Sequence, residues 1–167
     1  MRVPFFTRAL FVCSVLCAAA LGSAQDPTGI LHFQSAVGSF RLYNGTGTVT
    51  FTFKGTVMVV DGKGEATVSP GIKKEYEGHG RVAYFGKGSF TYKGAFRNLL
   101  WFGENMDGTW NGNGGGLFFG EFDKSLNTGY VWEASDPAAK RKWGTGGLDW
   151  RLPSLKAAVV EPKVRGH

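Results

Sequence analysis

In the stretch 48–53, Thr-Val-Thr-Phe-Thr-Phe, a hydroxylated residue alternates with a large apolar one. Successive side chains of an extended chain point to opposite faces, so this pattern predicts a strand with one buried and one wet face. Val57, Met58, Val59 and Val60 are continuously apolar, which suits a strand covered on both sides. Further short apolar or alternating runs predict strands at 31–35, 39–43, 65–69, 81–85, 89–92, 95–102, 108–110, 117–122 and 128–133. Between residues 33 and 133 no long window repeats apolar residues at helical spacing, and glycine interrupts each candidate. The chain is expected to be all-β.

Glycine sets the rhythm of these strands. Gly-x-Gly occurs at Gly45/Gly47, Gly62/Gly64, Gly78/Gly80, Gly86/Gly88 and Gly112/Gly114, with starts separated by 17, 16, 8 and 26 residues. All four intervals lie near multiples of eight or nine, one short strand plus its turn. Two architectures fit that unit. A β-solenoid would use three units per coil, whereas an antiparallel β-sandwich or jelly roll would use one unit per strand. The Asn44-Gly45 pair reads as a hairpin turn and favours antiparallel pairing. The recurrence of glycine at one phase tips the expectation towards the solenoid.

Composition narrows the class. At 167 residues the chain holds one domain, and its 14% aromatic content argues against disorder. Residues 1–24 carry Arg2 and Arg8, an apolar run and then Gly22-Ser23-Ala24, the layout of a cleaved secretory signal peptide. The apolar run is short for a bilayer span, so the mature chain is expected to have none. Both cysteines, Cys13 and Cys17, fall in this leader, and neither has the small preceding residue of a lipidation site. The expected organisation is thus a leader at 1–24, one all-β domain at 25–134 and a basic, largely irregular tail at 135–167. The formal charge of +6 divides unevenly. Residues 25–139 hold 10 basic and 11 acidic residues, while 140–167 hold seven basic against two acidic. A nucleic-acid reader would carry its basic stripe on the folded body, so nucleic acid is not an expected partner.

Candidate chemistry is sparse. Gly80 to Lys87 has five residues between its glycines where a phosphate loop needs four, and Gly88 stands where the magnesium-holding Ser or Thr belongs. No Gly-x-Ser-x-Gly elbow is present. Asp61 to Glu65 lacks the ligands of a calcium loop, and the Glu121/Asp123 pair reads as a wet strand face. No metal or cofactor is expected. Glycoside hydrolysis needs only two carboxylates across a cleft, and Glu104 and Glu121 are the candidates in aromatic surroundings. Trp101, Trp110, Tyr130 and Trp132 are the candidate binding residues, since exposed rings stack on sugars or on partner proteins. The expected function is an exported, non-catalytic β domain with a structural or binding role at the cell envelope or outside the cell. Its partner would be a glycan or an envelope protein. The alternatives are a carbohydrate-active protein, either a glycan-binding module or a small glycosidase, and a carrier of apolar ligands.

Overall fold

The computed structural model describes residues 27–120, 129–143 and 147–154. The expected leader, Glu121 and the chain beyond residue 154 lie outside them. The elements are β1 (Gly29–Val60), β2 (Lys63–Val68), β3 (Ile72–Gly78), β4 (Arg81–Gly120), β5 (Gly129–Glu133), β6 (Arg141–Trp143) and β7 (Leu148–Leu152), with one 3-10 turn at Pro137–Ala139. Every ladder among the described residues is antiparallel. The protein is all-β and sandwich-like. Solenoid coils stack in parallel, so the pairing selects the antiparallel alternative. The reversal that makes it so is at His79-Gly80, where both residues have positive φ (50° and 72°).

The two legs of that hairpin are wound around each other. β1 zips along β4 from Gly29 opposite Gly112 to Val60 opposite Arg81. A second ladder joins the same strands with the partner moved on by 17 residues, so Gly38 faces both Gly103 and Gly120. Over residues 38–60 of β1 and 98–112 of β4, each leg therefore has the other on both sides. Two lines of paired glycines cross the strands: Gly120, Gly38, Gly103, Gly55 and Gly86 in one, and Gly29, Gly112, Gly47, Gly94 and Gly64 in the other. Here the ribbon bends from one layer of the sandwich into the other without losing its ladder. Gly103 has φ +155° and Gly47 φ +116°, and a Cβ would collide with the carbonyl oxygen of Lys54 at the first and of Asn111 at the second. Only glycine fits such a corner.

One layer runs in the order β3, 81–85, 56–60, 98–102, 39–43, 115–119, β7. The other runs β2, 90–95, 46–51, 108–111, 30–34, β5, β6. Their inner faces meet ring to ring. Phe33 lies 5.3 Å from Phe40, Phe40 5.5 Å from Phe51, Tyr84 5.5 Å from Phe90 and Phe96 6.0 Å from Trp110. Asn44 and Asn105 interrupt the alternation, each in left-handed backbone (φ 47° and 51°) where the second ladder slips by one residue. Asparagine tolerates that conformation, and the extra residue makes a β-bulge. The expected hairpin turn at Asn44-Gly45 is thus a bulge within a continuous strand.

The sheet continues past residue 134. Trp143 is fully buried and stacks on Phe118 at 4.9 Å. Glu133 is buried too, and its carboxylate accepts hydrogen bonds from Trp150 Nε1 (3.0 Å), the Ser154 backbone N–H (3.0 Å) and the Ser154 hydroxyl (3.2 Å). That carboxylate ties β7 to β5, so the described residues 135–143 and 147–154 belong to the fold where the sequence predicts an irregular tail.

Burial raises the pKa of the Tyr84 and Tyr92 hydroxyls above the ordinary 10.0. The unfolded chain loses these protons first, so their contribution is complete below that pH and disappears as pH rises through the folded values. Denaturant midpoints should hold up to about pH 10 and fall above it, tracked by phenolate absorbance.

Candidate functional site

The two outer faces of the sandwich differ in chemistry. Outside the β2-edged layer, one row across the strands reads Thr67, Thr91, Thr50, Thr109, His32, Trp132. The next outward row contains Ser89, Thr52, Asp107, Gln34 and Tyr130. This face is hydroxylated and wet.

The opposite face is apolar. Its outermost row reads Phe85, Thr56, Phe102, Ser39, Phe119, and the row beside it reads Met58, Leu100, Arg41, Leu117, with Arg41 the one charged side chain among these. Phe85 is 56% exposed, Phe102 66% and Phe119 37%. Each phenylalanine immediately precedes a corner glycine (Gly86, Gly103, Gly120), and the three Phe-Gly pairs recur every 17 residues, one turn of the wound hairpin. Winding therefore places one ring on every second strand, roughly 10 Å apart along the edge of the layer. Met58, Leu100, Phe102 and Phe119 also border a shallow groove of about 370 Å³.

Exposed apolar rings on one ridge carry information that scattered ones do not. Single surface hydrophobics are ordinary, but a contiguous patch marks a contact surface. No family model, curated protein or solved structure matches this chain. The role of this face must be read from its own chemistry.

Beyond the corner, the outward row is Lys87, Lys54, Glu104. Lys54 and Lys87 are directly opposite each other on neighbouring strands, and both are exposed. Like charges so placed repel. Glu104 answers Lys54 alone, at 2.9 Å. Thr52, Ser69, Ser89 and Asn105 line a groove beside these lysines.

The residues singled out from the sequence fall in different places. Trp101 and Trp110 are 1% and 0% exposed, so they are core and offer no ring to a ligand. Tyr130 and Trp132 are half-buried on the hydroxylated face. His32 stacks on Trp132 at 5.2 Å, and Lys140 Nζ lies 4.3 Å from the Trp132 ring centroid and 4.7 Å from that of Tyr130. Glu104 sits on the surface in its ion pair with Lys54, and Glu121 lies outside the described residues. Among the described residues no cluster of three or more His, Cys, Asp or Glu is placed to hold a metal ion. Sequence reasoning missed Phe85, Phe102 and Phe119 as a set, although the 17-residue recurrence of Phe-Gly was present to be read.

Proposed function

We propose that this chain is an exported, non-catalytic binding domain that attaches to the cell envelope through the Phe85–Phe102–Phe119 ridge. The observation that carries the reading is the exposure of Phe102, 66%, at the centre of a row of rings that winding repeats on schedule. An apolar ridge held on a rigid sheet presents contact area at little entropic cost. The apolar leader at 1–24 supports export. The test is co-sedimentation with envelopes of the cells that make the protein. Phe102→Ser should lower the bound fraction at least tenfold while leaving the far-ultraviolet spectrum and the thermal midpoint unchanged. Binding that persists in this variant overturns the assignment to the ridge.

The second reading is glycan binding on the hydroxylated face, favoured by Trp132 and Tyr130 at the end of its threonine and serine rows. Retention on an insoluble polysaccharide that Trp132→Ala abolishes and Phe102→Ser does not would move the function to that face.

A further inference from the structure

We infer that the ridge and the lysine groove behind it form one amphipathic edge that docks on an anionic lipid surface. The inference rests on the envelope-binding reading and names what the ridge meets there. Two independent features point to the same occupant. On one side of the corner, Phe85, Phe102 and Phe119 stand on a row whose other members are only Thr56, Ser39 and, at its end, Lys73. On the other side, within two residues along each strand, Lys54 and Lys87 face each other.

A soluble partner of ordinary polarity would match the lysines or the rings, but a bilayer interface matches both in that order. Aromatic rings settle at the boundary between headgroups and acyl chains, and cationic side chains beside them reach up to the phosphates. An anion between Lys54 and Lys87 removes their mutual repulsion, with the Ser89 and Thr52 side chains beside it in the same groove. In these rows and the ones beside them Arg41, Lys54, Lys73 and Lys87 stand with Glu104, Asp107 and Asp149, and Lys87 is the member of the lysine pair that Glu104 does not answer. Each basic residue near an anionic surface adds to the attraction, and salt screens it.

The opposite face cannot substitute. Past the Ser89–Thr52 row that borders the lysines, it carries Thr67, Thr91, Thr50 and Thr109, whose hydroxyl groups would be stripped of water by a membrane without compensation. The docked orientation is therefore fixed by the fold.

The experiment uses protein expressed from the full sequence and purified in its processed form. It is sedimented with vesicles of phosphatidylcholine alone and of phosphatidylcholine mixed with phosphatidylglycerol, alongside lipid-extracted envelopes. Binding to the mixed vesicles that weakens with salt is expected. Lys87→Gln should weaken it roughly fivefold, and Phe85→Ser with Phe102→Ser at least tenfold, while both variants keep the parent unfolding midpoint. Equal binding to neutral vesicles, or full binding by the double phenylalanine variant, overturns the lipid assignment. Phe102-dependent binding to lipid-extracted envelopes without vesicle binding also overturns it and leaves the envelope reading standing. Loss of both ends both.

Discussion

Replacing Gly103 with alanine is expected to destabilise the fold by about 3 kcal/mol or more. Gly103 pairs with Gly38 on one side and Gly55 on the other, at the middle of one corner line. Its φ of +155° lies in a region that residues with a Cβ avoid, which costs about 1–3 kcal/mol of backbone strain. The new methyl group also meets the Lys54 carbonyl, a backbone atom held by its own ladder, so relief requires moving a neighbouring strand. Overpacking of that kind costs about 1–3 kcal/mol more. Thermal unfolding should show a loss on the order of 10 °C in the midpoint. Gly78→Ala is the matched control. There the added carbon meets the hydroxyl tip of the exposed Tyr76 side chain at 2.9 Å, which only a 3.3 Å surface hydrogen bond to His79 Nδ1 restrains from swinging away. Its cost should stay within about 1 kcal/mol. Equal losses in the two variants would show that the glycine lines are not corners.

The strands were legible because alternation survives in this chain. The run 48–53 places Val49, Phe51 and Phe53 inside and Thr50 and Thr52 outside, as the pattern dictates. The role of the glycines was not legible. Glycine in a tight turn and glycine at a bend within an unbroken ladder look alike in sequence, since both supply backbone that other residues avoid. Gly62, Gly78 and Gly80 do mark strand ends, as the eight-residue spacing suggested, but at Gly45/Gly47, Gly86/Gly88 and Gly112/Gly114 the ribbon turns a corner and continues. The interval that matters is two such units, 17 residues, because one full winding crosses both layers. The candidate site was misread for a related reason. Trp101 and Phe102 are neighbours, and a strand can bury only one of them. Which one goes inside depends on how the alternation is phased, and the left-handed Asn44 and Asn105 reset that phase at points a sequence reader has no cause to choose. Size favoured the tryptophan as a ligand platform, but the phase buried it and left the phenylalanine outside.

Truncating Trp110 should therefore be far more damaging than truncating Phe102, although both are aromatic residues of β4. Trp110 is wholly enclosed, packs against Phe96 at 6.0 Å, and donates its indole N–H to the Thr46 carbonyl at 3.0 Å. Trp110→Ala removes a large apolar volume from a core where neighbours on two layers are held by their ladders, and leaves the Thr46 carbonyl without that donor. The expected cost is about 3–5 kcal/mol, a large share of the roughly 5–15 kcal/mol that holds a domain folded. Phe102→Ala removes a ring already mostly in water, and its cost should fall within about 0.5 kcal/mol. Urea unfolding followed by circular dichroism measures both. The comparison bears on function as well as on packing. A ring that contributes almost nothing to stability, repeated at each turn of the winding, is what the proposed docking surface requires. A Phe102→Ala loss as large as that of Trp110→Ala would make the ridge part of the core and withdraw the binding surface with it.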